Sequence, residues 1–87
     1  MSLVAPHKTI RVLVADDSAL MRRTFCRLLE EEPDLEVVGI ARDGLEAVEK
    51  ARDLHPDVVT MDLNMPRMDG LSALQVVLEE GLAQVLV

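Results

Sequence analysis

The sequence predicts an α/β fold built on a parallel sheet, and three observations support this prediction. Four short apolar runs alternate with three segments whose apolar residues recur at helical spacing. The runs start about 25 residues apart, which is too far for hairpins and leaves room for a crossover helix between parallel strands. The first and third runs lack an alternation of apolar and polar residues, as expected for strands that are covered on both faces of the sheet.

The first part of the chain contains two predicted strands and the first helix. Ile10–Ala15 and Leu35–Ala41 are short runs rich in β-branched residues, which favours buried strands. Glu36 interrupts the second run, so we expect that strand nearer a sheet edge. Between the two runs, an apolar stripe predicts a helix that starts at Ser18 and ends before Pro33. The residues of this stripe, which we expect to face the core, are Leu20, Met21, Phe25, Leu28 and Leu29.

The second helix is predicted between a capping motif and a proline. Asp43 and Glu46 have the spacing of a capping box, in which side chains bind free amides of the first helical turn. Apolar residues at helical spacing follow, and His55-Pro56 ends the helix. A third buried strand is predicted over Val58–Met61. The expected inward residues of the helix are Ala47, Val48, Ala51 and Leu54.

The last two elements are a third helix and the start of a fourth strand. The helix is predicted over Leu71–Glu80, with Gly81 as its C-terminal cap. Ala83–Val87 then begins a strand. No linker or repeat interrupts the alternation, so we expect one domain that starts at Ile10, after an N-terminal lead over residues 1–9 in which residues 1–3 are a candidate expression leader. The helix residues expected to face inward are Leu71, Leu74, Val77 and Leu78.

Composition and charge exclude several classes of function. The chain of 87 residues is 49% apolar and 29% charged, which is typical of one small globular domain. A net charge of −7 without a basic run argues against direct binding of nucleic acid. No apolar stretch is long enough to cross a bilayer, and Cys26 is the only cysteine, so we expect a cytoplasmic protein without disulfides.

Three acidic residues follow predicted strands. Asp16 and Asp17 come directly after the first strand, and Asp62 follows the third. The carboxyl ends of parallel strands meet at one edge of a sheet, where ligands bind, so we expect these side chains to converge. Converging carboxylates repel one another and call for a cation, and a site of oxygen ligands favours Mg²⁺. The alternative, that these acids only cap helices, accounts for three converging carboxylates less well than for one.

Two segments around these acids resemble the signature segments of the response-regulator receiver domain of two-component signalling. They are VLVADDS at residues 12–18 and DLNMPRMDG at residues 62–70. The sequence around these segments, with SALMRR after the acidic pair and VTMD at the start of the second segment, is similar to the receiver of the chemotaxis protein-glutamate methylesterase. The resemblance covers nearly the whole chain from Ile10 onward.

The resemblance implies a flavodoxin-like, doubly wound parallel sheet with strand order 2-1-3-4-5 and a phosphoacceptor role for Asp62. The implied phosphoryl donor is a histidine kinase, and the implied Mg²⁺ ligands are Asp16, Asp17, Asp62 and the backbone carbonyl of Asn64. An output domain or a downstream protein would receive the signal. The residue chemistry agrees, since a carboxylate can attack phosphorus once a metal screens the two anions.

The chain departs from the receiver pattern toward its carboxyl end. Receivers carry a Ser or Thr after strand four and a Lys after strand five, whereas the lysines here are Lys8 and Lys50. Strand five and the last two helices of the pattern are absent, so the predicted sheet is incomplete and residues 10–87 correspond to the N-terminal two-thirds of a receiver. If the chain truly ends at Val87, we expect it to self-associate through its exposed fourth strand.

Two other functions compete with the receiver interpretation. A Mg²⁺-dependent aspartyl phosphohydrolase of the haloacid-dehalogenase kind would need a second Asp where Asn64 stands. A non-catalytic assembly module would pair with another chain and would need no Mg²⁺. We interpret the chain as a regulatory phosphoacceptor domain rather than an enzyme, with any methylesterase activity belonging to an output domain outside this chain.

Two further polar features have structural interpretations. Asp69 is expected to cap the third helix rather than to bind metal, because it precedes Gly70 where the chain turns into that helix. Arg22 and Arg23 lie largely opposite the apolar stripe of the first helix. We interpret them as part of a solvated helix face, and a surface for a partner is the alternative.

Overall fold

The computed structural model describes residues 9–62 and 70–86, and in these ranges four strands alternate with three helices. The elements are β1 (Ile10–Ala15), α1 (Ala19–Glu30), β2 (Leu35–Ala41), α2 (Gly44–Leu54), β3 (Val58–Met61), α3 (Gly70–Glu79) and β4 (Gln84–Leu86). The first three strands have the predicted bounds. Helix α3 begins and ends one residue earlier than predicted, a difference within the ordinary variation of helix ends.

The four strands form one parallel sheet in the order β2-β1-β3-β4. Strand β2 therefore lies at an edge, as Glu36 predicted, while β1 and β3 are central neighbours. In their register Ala15 is paired with Met61, the last residue of each strand. The two central strands end side by side, so the residues that follow them, Asp16 and Asp62, leave the sheet at the same edge.

Helices α2 and α3 cover one face of the sheet, and α1 packs on the other. Side chains alternate along β1, so Leu13 and Ala15 join the α2 and α3 side, while Val12 and Val14 are buried on the α1 side. Met61 is buried, as predicted. The residues that form the core on the α2 and α3 side are Leu13, Ala15, Ala41, Ala47, Val48, Ala51, Val59, Met61, Ala73 and Val77.

Side chains cap the N-termini of α1 and α2, and the cap predicted at Asp43 is confirmed. The Ser18 hydroxyl accepts a hydrogen bond from the Met21 amide at 3.2 Å, so α1 starts directly after the acidic pair. The Asp43 carboxylate accepts one from the Glu46 amide at 2.8 Å. Both bonds satisfy amides that have no partner within their helix, which fixes where each helix begins.

Helices α2 and α3 end within one residue of their predicted ends. Helix α2 ends at Leu54, and the next residue, His55, adopts the left-handed conformation with φ of 49°. Gly81 has φ of 63°, and its amide donates to the carbonyl of Leu78 at 3.2 Å. The Leu82 amide donates to the carbonyl of Val77 at 2.9 Å, which completes a Schellman motif. This motif turns the chain from α3 toward β4.

The apolar stripe of α1 is less buried than predicted. No residue of α1 is buried; Leu20 is 69% exposed and Met21 is 41% exposed. Helix α1 contacts β1 and β2, and no described helix lies over β3 and β4 on that side. The helical spacing of apolar residues identified the apolar side of the helix, but burial also requires a second element to cover that side.

The predicted inward face of α3 was partly wrong. Leu71 is 61% exposed and Leu78 is 57% exposed, whereas Val77 is buried and Leu74 packs against the core. Helix α3 contacts α2 and β4, and its buried residues are Gly70, Ala73 and Val77.

Several predictions concern parts of the chain that the structure does not describe. Apart from Thr9, the predicted lead over residues 1–9 lies outside the described residues, as does Val87. Among the described helices, none is both long and apolar enough to span a membrane. The cytoplasmic location and the self-association through strand four stay predictions.

Candidate metal centre

The ends of β1 and β3 hold two acidic residues at one edge of the sheet. The Asp16 amide donates to the carbonyl of Ala41 at 3.0 Å, so pairing with β2 continues one residue past β1. The Asp62 amide donates to the carbonyl of Ala15 at 3.1 Å, which continues the pairing of β3 with β1. Both acids are therefore anchored through their backbone to the rigid part of the sheet.

Three carboxylates converge at this edge, as the sequence predicted. Asp16, Asp17 and Asp62 each place a carboxylate oxygen within 4.8 Å of the others. Asp16 and Asp62 are half-buried and Asp17 is exposed. At about 5 Å and an effective dielectric constant of about 20, each pair of like charges costs about 3 kcal/mol. This repulsion makes the cluster a strong candidate for a bound cation. Asn64, the fourth predicted ligand, and Asp69 lie outside the described residues.

The donor set fits Mg²⁺. All three groups offer oxygen ligands, which hard divalent cations prefer. Neighbouring ligands of an octahedral Mg²⁺ lie about 3 Å apart, because each Mg–O distance is about 2.1 Å. The oxygen–oxygen distances, which are at most 4.8 Å here, would need to shorten by less than about 2 Å. Exposed and half-buried side chains achieve this by rotation. Three protein ligands would leave coordination positions for water or phosphate oxygens.

The loop between β1 and α1 fixes Asp16 through several contacts. The Ser18 amide donates to Oδ1 of Asp16 at 2.9 Å, forming a local turn. Nη1 of Arg22 donates to the backbone carbonyl of Asp16 at 2.8 Å. The prediction that Arg22 lies on a solvated helix face was therefore wrong, since its side chain is half-buried against the acidic loop.

A local signal in the sequence could have indicated this role for Arg22. The residue lies four positions after the N-cap Ser18, and helical side chains lean toward the N-terminus of their helix. A long side chain at that position reaches back over the first turn. Arg23, the next residue, is exposed as predicted.

A cavity of about 250 Å³ lies beside the carboxylates on the α1 side of the sheet. Asp16 and Asp62 form its polar end, and Phe25, Thr60 and Leu86 are among its other lining residues. The cavity gives the half-buried carboxylates an apolar neighbourhood on one side.

Comparison with known sequences gives matches over most of the chain. The family described as response regulator receiver domain matches residues 12–87. A protein-glutamate methylesterase/protein-glutamine glutaminase of Caldanaerobacter subterraneus is 62% identical over 71 residues, which are 82% of this chain and 19% of that protein. A protein with the same description from Carboxydothermus hydrogenoformans is 59% identical over 69 residues, or 79% of this chain and 20% of that protein. The chain spans about a fifth of the length of these curated relatives.

Comparison with solved structures also gives matches over most of the chain. The crystal structure of the response regulator domain of Thermotoga maritima CheB matches with a TM-score of 0.87 and 50% identity, over 90% of this chain and 58% of that one. The CheX-CheY-BeF3-Mg²⁺ complex from Borrelia burgdorferi contains a chain that matches with a TM-score of 0.83 and 32% identity, over 90% of this chain and 60% of that one.

Proposed function

This chain belongs to the response regulator receiver domain family, and from that premise we propose that it accepts a phosphoryl group on Asp62. The receiver fold and the similarity to the methylesterase receiver, both predicted from the sequence, are confirmed. The observation that carries the proposal is the cluster of Asp16, Asp17 and Asp62, whose carboxylate oxygens lie within 4.8 Å of one another. The proposed chemistry is phosphoryl transfer to one of these carboxylates with Mg²⁺ held by all three.

The surroundings of the three acids support Asp62 as the acceptor. Asp16 stands at the end of β1 and forms the turn into α1, where its Oδ1 accepts from the Ser18 amide. Asp17 is exposed and follows the strand by one further residue. Asp62 stands directly at the end of β3, half-buried and at the cavity beside Asp16. A nucleophile held at a strand end keeps a defined position, which transfer between two anions requires.

In the proposed step, a carboxylate oxygen of Asp62 attacks the phosphorus of a phosphohistidine. The new P–O bond forms as the P–N bond breaks, and the departing imidazole nitrogen takes up a proton. The product is an acyl phosphate on Asp62. Mg²⁺, when bound, neutralises charge on the carboxylates and on the phosphoryl oxygens. Asp16 and Asp17 would hold it together with Asp62, and the backbone carbonyl of Asn64 is the proposed fourth protein ligand.

We propose a histidine kinase as the phosphoryl donor and a methylesterase output domain as the element that the phosphorylated receiver controls. The similar curated proteins are methylesterases, and this chain matches only their receiver portion. A receiver is a regulatory domain, so the proposed role is to accept a signal in a chemotaxis pathway. Esterase activity is part of the description of those relatives and is not proposed for this chain.

A phosphorylation assay with a small-molecule donor tests this proposal. The chain incubated with acetyl phosphate and Mg²⁺ should gain one phosphoryl group, seen by intact-protein mass spectrometry. The gain should vanish when EDTA removes the metal, because two anions must otherwise approach unscreened. Hydroxylamine should remove the label, since it cleaves acyl phosphates. A label that forms equally well in EDTA, or that resists hydroxylamine, would contradict the proposal.

A further inference from the structure

Arg22 forms a contact with the acidic loop that the transfer chemistry does not itself require. Its Nη1 atom donates to the backbone carbonyl of Asp16 at 2.8 Å, and the contact is partly buried. Its own amide donates to the carbonyl of Ser18 at 2.9 Å, as expected one turn into α1. The side chain therefore connects the rigid first turns of α1 to the loop that carries two of the three carboxylates.

This contact completes the anchoring of Asp16. The Asp16 amide is held by the carbonyl of Ala41 at 3.0 Å, and Oδ1 is held by the amide of Ser18 at 2.9 Å. The carbonyl, held by Arg22, belongs to the peptide unit that joins Asp16 to Asp17. Holding that peptide plane restricts the backbone rotation on either side of it, and so narrows the directions in which the two carboxylates leave the backbone. Of these three hydrogen bonds, only the one from Arg22 has a side-chain donor. This donor is charged, which strengthens the bond.

We propose that Arg22 is a positioning residue for the metal centre: by holding the Asp16–Asp17 peptide plane it preorganises both carboxylates for Mg²⁺. This inference rests on the proposed function. Whether Mg²⁺ binds more weakly or more tightly when Arg22 is replaced distinguishes a positioning role from a purely electrostatic effect. A cation near the cluster repels Mg²⁺, so charge alone predicts tighter Mg²⁺ binding when Arg22 is replaced by a neutral residue. Positioning predicts weaker binding, as for other outer contacts that orient metal ligands.

The test is a Mg²⁺ titration of three variants, followed through backbone amide NMR shifts at a temperature where each spectrum is that of a folded protein. Arg22→Met should weaken Mg²⁺ binding about tenfold, the lower end of the range for residues that orient metal ligands. Arg23→Met is the matched control, because it removes the same charge from an exposed neighbour on the same helix. It should change the affinity by less than about twofold, since exposed charges are screened.

A second signature comes from the metal-free spectra. The Asp17 amide belongs to the peptide whose carbonyl Arg22 holds, so its shift should change in Arg22→Met and stay unchanged in Arg23→Met. Arg22→Lys keeps the charge and one donor, and its Mg²⁺ affinity should lie between wild type and Arg22→Met. This variant also provides a test if Arg22→Met does not fold.

The outcomes separate this inference from the proposed function. Mg²⁺ binding that is equal or tighter in Arg22→Met, or equally weakened in Arg23→Met, would overturn the positioning role and leave the receiver chemistry intact. A wild-type chain whose amides do not respond to Mg²⁺ would overturn the proposed function and this inference with it.

Discussion

Replacing Asp16 and Asp17 together by asparagine should lower the affinity for Mg²⁺ by at least about a hundredfold. The double variant removes two of the three carboxylates that converge within 4.8 Å. Each attraction between a carboxylate and a divalent cation at ligand distance is worth several kcal/mol at an effective dielectric constant of about 20, and about 1.4 kcal/mol is already a factor of ten. Isothermal titration calorimetry of the wild type and the variant measures this difference directly.

A charge-matched control is available on α2. Glu49→Gln/Asp53→Asn also removes two negative charges, but from exposed residues away from the strand ends. Its Mg²⁺ affinity should stay close to that of the wild type, because exposed charges at a distance are screened. Equal losses of affinity in both double variants would mean that Mg²⁺ responds to net charge rather than to the cluster. Unchanged binding in Asp16→Asn/Asp17→Asn would remove the metal centre from this edge of the sheet.

Replacing Asp62 by asparagine should abolish phosphoryl uptake from acetyl phosphate. The asparagine amide keeps the shape of the side chain and the backbone bond to Ala15, so the fold is expected to persist. An amide is a far weaker nucleophile than a carboxylate, and it also removes one charge from the metal centre. Intact-protein mass spectrometry during incubation with acetyl phosphate and Mg²⁺ follows the uptake.

Asp53→Asn is the control for this loss. Asp53 is exposed on α2, and its replacement makes the same chemical change outside the site. The control should take up phosphoryl at the wild-type rate. If Asp62→Asn is labelled as fast as this control, another residue is the acceptor and the role assigned to Asp62 is wrong.

Most of the sheet could be predicted because its signals are local. The runs at β1 and β2 are short, rich in β-branched residues and bounded by polar residues. The caps of α1 and α2 are each set by one side chain at the helix start, Ser18 or Asp43. Burial on the helices could not be predicted in the same way. Met21 on α1 and Leu71 on α3 belong to apolar helical patterns, yet both are exposed. Whether such a face is covered depends on elements far away in the sequence, which periodicity does not report.

The candidate site, like the fold, could be predicted from the sequence only in part. Asp16, Asp17 and Asp62 were predictable because parallel strands bring their carboxyl ends together, whatever the rest of the fold does. Arg22 was missed because its helical position is on the polar side of α1. What places it at the site is the reach of its long side chain toward the start of the helix, to a backbone carbonyl that carries no signature in the sequence.

The central claim, that Asp62 accepts the phosphoryl group, is tested most directly by locating the label on the wild-type chain. An acyl phosphate is too labile for direct peptide mapping, but borohydride reduces a phosphorylated aspartate to homoserine, which leaves a permanent mark. After incubation with acetyl phosphate and Mg²⁺, reduction and proteolysis, tandem mass spectrometry should place homoserine at position 62. Homoserine at Asp16, Asp17 or Asp57 in place of Asp62 would contradict the account.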